Sequence, residues 1–337
     1  MAADLITTQT QVMREGWVDS AKGVGIILVV VGHAIGGMID AGLLSRTGLA
    51  NEVFFAIYTF HMPMFFFLSG LFVARRISAD RSGFLKATFF RILWPYLLWS
   101  VIQTTLIQAS GQLVNRPVEW GSFNYLSIVW QPASQFWFLH VLVLLSIFSY
   151  LIVPHFGVRA LVVFAVTLFA VPEIATLPAT LKLACHFGLM YALGVASGQF
   201  QEPGQLATRG TRSVVGIAAS ATAWLAIVSV LLDRGERYWT IAALPAAISG
   251  SVAWLWLSAT PLVTNSALVR MLGQRSMVIY LLHVLFVAST RIVLDKLVGL
   301  TEPAAILAAV VLAGLIGPLV IYSAASRLRI VRKLGLG

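Results

Sequence analysis

The sequence is short of charge and nearly without cysteine. Only 11% of its 337 residues are Asp, Glu, Lys or Arg, where a soluble domain carries about 25%. A chain with so few charges cannot clothe an ordinary water-facing surface, which excludes a soluble enzyme. The single cysteine, Cys185, rules out an intramolecular disulfide and a thiolate metal cluster. No H-E-x-x-H metal pair, G-x-x-x-x-G-K-[ST] phosphate loop or G-x-S-x-G nucleophile elbow occurs. No unit repeats, and no low-complexity tract or linker sets off a second domain.

What fills the chain instead is apolar. Hydrophobic residues make up 59%, and the mean hydropathy is +0.88. A membrane-spanning helix needs about 20 mostly apolar residues. Runs of that kind lie at about 17–38, 53–74, 88–109, 136–153, 158–172, 181–199, 213–232, 239–259, 276–293 and 303–324. Their unbroken length excludes a β-barrel, whose strands are short and alternating. The first run, Trp17 to Met38, is too long for a signal peptide and reads as retained. The expectation is an all-α polytopic membrane protein with about ten transmembrane helices. A single membrane-embedded domain then covers residues 1–337, with spans over about 17–324 and no separate soluble domain.

The distribution of charge supports that count. With both termini in the cytoplasm, inner segments collect Arg14, Arg209 and Arg212, the cluster Arg75 to Arg91, and the run Arg327 to Lys333. Acids prevail in the alternate loops, as the bias of Lys and Arg toward the inner side requires. The net charge of +10 thus follows from topology, and a nucleic-acid partner loses its main support. The longest non-spanning stretch, about 110–135, falls outside; it reads either as a lid or as a hairpin anchored by Trp120 and Trp130 on the headgroups.

Ionisable groups inside a bilayer are costly and mark function by default. The first run carries three. Lys22 and His33 stand 11 residues apart, which is three turns and about 16 Å on one helical face. Asp19 lies one turn before Lys22 and can pair with it. Gly23, Gly25 and Gly32 allow another backbone or a ligand to come close. The alternative is that Lys22 reaches the inner headgroups and that His33 is a hydrogen-bonded core histidine.

The stretch Trp17 to His33 resembles the opening signature of the acyltransferase 3 family of membrane acyltransferases, especially its branch related to fucose 4-O-acetylases. That signature is a basic residue, ten positions and a histidine, matched by Lys22 and His33. The family's usual arginine is lysine here, which keeps the charge and loses the planar fork. His61 to Gly70, Arg91 to Trp99, Phe136 to Leu139 and Ser276 to His283 resemble further family elements in the same order.

The resemblance implies transfer of an acyl group, usually acetyl, from cytoplasmic acetyl-CoA to a sugar hydroxyl. The acceptor would be a cell-envelope or extracellular glycan or a lipid-linked sugar, and the setting a bacterial inner membrane. Such a reaction needs a base at the acceptor hydroxyl, and imidazole suits it. His33, toward the outer leaflet, is the candidate, with Lys22 and Asp19 on its stripe. Arg75, Arg76 and Arg91, in the densest basic loop, are the candidates for the donor's phosphates; contact with anionic lipid would place arginines similarly. His61, at a depth to meet His33, is expected to orient the acceptor or relay a proton, or else to join helices. His283 is included through its motif and is expected nearer the inner half of its span. His140 is expected in the outer half; it and His186 read as core or interface residues, and His155 as structural. The expected co-substrate is acyl-CoA, with no tightly bound cofactor, no metal and no nucleic-acid partner. Succinyl or a longer acyl group is a variant of this reading, and a secondary transporter or glycan exporter is its rival.

Overall fold

The computed structural model describes residues 2–119, 121–200 and 214–337, with side chains from Gly16 onward. Arg14, Trp120, Arg209 and Arg212, which enter the readings above, lie outside the described side chains. The described residues form helices and no strand. In chain order, α1 (Ala2–Asp40) and α2 (Leu49–Gly70) are joined by a short loop. Two short helices follow, α3 (Val73–Ala79) and α4 (Arg81–Thr88). A π-helical turn (Phe89–Leu93) leads into α5 (Trp94–Ser110). After three 3₁₀ turns come α6 (Trp137–Phe169), the single turn α7 (Val171–Ile174) and α8 (Ala179–Phe200). The remainder is α9 (Val214–Asp233), α10 (Leu244–Ser258), the short α11 (Pro261–Thr264) and α12 (Ala267–Gln274), then α13 (Ser276–Ile292) and α14 (Pro303–Arg327).

Eight helical stretches are long and apolar enough to cross a membrane. They coincide with the runs read from the sequence, with two differences. The run at 88–109 divides between the π turn and α5, which has 17 residues. The runs at 136–153 and 158–172 share α6, which is interrupted at Gly157 (φ 78°, ψ 173°) just after Pro154. Proline offers no N–H to continue a helix, and the positive φ suits glycine. The rings of Phe148 and Phe164 are 5.9 Å apart, whereas 16 residues of straight helix would separate them by about 24 Å. The chain therefore turns back at Gly157, and α6 consists of two antiparallel segments.

The first helix is the hub, packed against α2, α10, α12, α13 and α14. Its glycines set the closest approaches. Side chains of α2 lie where Cβ atoms of Gly25, Gly32 and Gly36 would stand: Met64 and Phe65, Tyr58, and Phe54 respectively. The amphipathic α12 crosses the first half of α1 backbone to backbone, Gly23 against Val269 and Gly273 against Asp19. Helix α8 meets α2 in the same manner, since Gly194 and Gly198 abut the carbonyls of Phe67 and Leu71. With no hydrophobic drive between helices in lipid, such small-residue contacts supply packing energy. Helix α9 buries only 11% of its spanning window and α14 only 22%, which leaves apolar faces such as Val214, Val215, Leu312 and Val320 for the lipid.

Candidate active site

Because α1 runs unbroken, Asp19 and Lys22 lie near one end of its membrane portion and His33 about 16 Å further along. Around His33 three helices bring side chains together. The His283 ring, on α13, is 4.9 Å from the His33 ring at 64°. Tyr58, on α2, stands 6.3 Å from His33 and 4.7 Å from His61. Gly32 permits this: a Cβ there would come within 2.9 Å of Tyr58 Cε2.

The hydrogen bonds assign roles to the rings. His61 Nδ1 donates to the Ile57 carbonyl at 2.7 Å, and His283 Nδ1 to the Tyr280 carbonyl at 2.8 Å. A carbonyl only accepts, so Nδ1 carries the proton in both rings, and in the neutral form Nε2 is the acceptor. Nε2 of His283 is buried and has no partner among the described residues. His61 and His283 are fully enclosed, at 2% and 0% exposure, while His33 is half-buried. His33 makes no hydrogen bond to a described residue, so its ring nitrogens are not engaged by the described protein groups.

The expected trio of histidines is thus assembled, with one correction of depth. His283, expected nearer the inner half of its span, lies at the level of His33, because α13 packs along α1 with the two rings in contact. His140 stacks on Tyr96 at 5.2 Å and its Nε2 donates to the Val129 carbonyl, and His186 packs between Phe169 and Phe187. Both serve packing. His155 is exposed beside the reversal at Gly157.

Asp19 and Lys22 belong to a different cluster. Half-buried Lys22 feels the charges of Asp19 and Arg76, and Arg76 feels that of Arg91. Asp19 accepts a hydrogen bond from Gln274 Nε2 at 3.1 Å. Arg75, Arg76 and Arg91 are exposed, on α3 and on the π turn. Cations therefore gather at one end of the stripe and imidazoles at the other.

The stretch 110–135 closes over the histidine end. Asn115 donates to the Gly37 carbonyl and Arg116 to Asp40, both at 2.9 Å and both on the last turns of α1. Lys296 Nζ, beyond α13, donates to the Leu113 carbonyl at 3.1 Å. The Tyr280 hydroxyl, one turn from His283, donates to the Gln135 carbonyl, and Gln103 and Gln135 exchange amide bonds at 2.8 Å. Its inner edge is docked like a lid, while Leu126, Val129 and Trp130 point outward, exposed. Outside the spans, burial raises the pKa of the Tyr238 hydroxyl above its usual value, so it stays a neutral donor beside Tyr58, 5.2 Å away.

Sequence reasoning missed Tyr58 and Gln274, and took Tyr280 only as part of a motif. An aromatic in an apolar run carries no polar signal, and Gln274 ends α12, a short amphipathic helix outside the apolar runs.

The described residues thus define an all-helical integral membrane protein with a histidine cluster at one end of its first helix and cations at the other. The model of the acyltransferase 3 family, described as an acyltransferase domain, matches residues 15–323. The chain belongs to that family and is a membrane acyltransferase. No curated protein and no solved structure gives a match.

Proposed function

We propose that the protein is an O-acyltransferase that moves an acyl group, acetyl in the simplest case, from cytoplasmic acyl-CoA to a hydroxyl of a cell-envelope or extracellular glycan or glycolipid. The setting is a bacterial inner membrane with both termini in the cytoplasm. The observation that carries the reading is the division of α1: half-buried His33 in contact with His283 at one end, and Lys22 with Arg76 and Arg91 at the other. The intervening ~16 Å of helix is comparable to an extended pantetheine arm. Phosphates held among the inner cations would place a thioester beside His33.

In this reaction the acceptor oxygen attacks the thioester carbonyl carbon while His33 takes the hydroxyl proton. The C–O bond forms, the C–S bond breaks, and the thiolate leaves and recovers the proton. His283 and His61 hold the imidazole and the acceptor in line. Lys22 and Asp19 act at the donor end of the stripe, with Arg75, Arg76 and Arg91.

The test compares wild type with His33→Ala in membranes supplied with radiolabelled acetyl-CoA, following label into the envelope glycan fraction. Loss of a general base costs about 10²- to 10⁴-fold, so His33→Ala should fall to background. Equal labelling of both would refute the role of His33, and labelling of neither would refute acetyl transfer to glycan.

A further inference from the structure

The segment after α14 is clamped beneath the first turns of α5. Trp94 Nε1 donates to the Lys333 carbonyl at 3.0 Å and Trp99 Nε1 to the Leu334 carbonyl at 2.9 Å. Gly335, at φ 63°, lies so close to Pro95 that a Cβ would stand 2.7 Å from its Cγ. Leu336 is 2% exposed. Two indole donors, a backbone contact and a buried leucine fix this segment to one place.

That place is the start of α5, and Arg91 lies one helical turn before Trp94. The clamped segment carries exposed Arg329, Arg332 and Lys333. Arg91 already feels Arg76, and Arg76 feels Lys22. The described acids at this end, Asp19 and Asp80, are outnumbered by Lys22, Arg75, Arg76 and Arg91. Asp19 bonds Gln274, and Asp80 caps α4 by accepting from the Gly83 N–H at 2.8 Å and the Ser82 hydroxyl at 3.0 Å. Like charges held together repel, and a rigid cationic surface of this kind is stabilised by a polyanion. The bias of basic residues toward the cytoplasm accounts for their side of the membrane but not for a clamp that fixes their backbone to the start of α5, one turn after Arg91.

We propose that residues 328–337 are part of the donor site, with Arg332 and Lys333 joining Arg91 and Arg76 on the phosphate groups of acyl-CoA. This rests on the donor side of the function proposed above. The chemistry recognised is a phosphate ester, which a donor nucleotide or an anionic lipid headgroup could each supply, and the experiment separates the two.

The probe is desulfo-coenzyme A, which binds without reacting, titrated calorimetrically onto the full chain in nanodiscs. One set of discs is phosphatidylcholine alone and the other contains phosphatidylglycerol. Trp94→Phe/Trp99→Phe removes the clamp's hydrogen bonds and leaves every charge in place. It should weaken binding about tenfold in both lipids, the scale of two lost hydrogen bonds. Trp99 is buried, so Arg332→Gln/Lys333→Gln on the surface provides a second variant that leaves the fold intact. It should weaken binding about tenfold as well.

Probe binding that depends on Arg75 and Arg76 but shifts less than twofold in both tail variants overturns this proposal and leaves the donor reading standing. Tail variants that change only the retention of phosphatidylglycerol assign the segment to lipid and overturn it also. No binding to the wild type refutes the donor reading, and this proposal with it. His33→Ala should bind the probe as the wild type does, so failure of the base assignment is read separately.

Discussion

His33 and His283 share one site but not one role. His33 is half-buried and makes no bond to a described residue, whereas His283 is enclosed and tied through Nδ1 to its own helix. A ring fixed in that way offers one defined nitrogen, Nε2, toward the site. His283→Asn can keep the Nδ1-like donor to the helix carbonyl and lose that nitrogen. It should lower kcat by about tenfold or more with the KM for acyl-CoA unchanged. Steady-state kinetics with the donor varied checks this, because a merely structural defect would move both parameters. Of the site, the residues with a polar signature were legible: Lys22, His33, His61 and His283. Tyr58 was not, since its importance lies in the space that Gly32 leaves for it, and a sequence does not show which helix faces which glycine.

At the scale of elements, helix contacts are governed by glycine. Gly194 and Gly198 stand four residues apart on α8, and Cβ atoms there would come within 2.1 Å of the Phe67 carbonyl and 1.6 Å of the Leu71 carbonyl. No rotamer change relieves a clash with backbone, so the helices must part. Gly198→Ala should cost about 1–3 kcal/mol, the range for overpacking, read as a lower thermal unfolding temperature in detergent. Leu71 leads directly into α3, so donor affinity should fall with it, through displacement of Arg75 and Arg76. Gly37→Ala is the control, because nothing lies within 4 Å of its missing Cβ. Apart from the run at 88–109, which divides between the π turn and α5, the apolar runs were legible from hydropathy, including the break near Gly157. The small-residue face of α8 was not singled out, because spacing alone does not name the partner helix.

For the whole molecule, the division of charge makes a directional statement. In a Cys185→Ala background, Thr301→Cys lies in the loop between α13 and α14 and Ser326→Cys near the end of α14, both exposed. A membrane-impermeant maleimide should label Thr301→Cys on intact cells, and Ser326→Cys only after permeabilisation. The reverse pattern would invert the topology and place His33 at the cytoplasmic end.

Composition alone determined that this chain lives in a bilayer, because 11% charge cannot solvate 337 residues. Hydropathy and spacing determined that a base and an imidazole share one face of the first helix. Only the tertiary structure decided that His283 meets His33, that Tyr58 stands between His33 and His61, and that residues 328–337 are clamped to the start of α5. The physical reason is range. Burial and helical periodicity are local properties, written in consecutive residues. The pairing of helices far apart in the chain depends on which glycine receives which side chain, and that is settled only when the bundle packs.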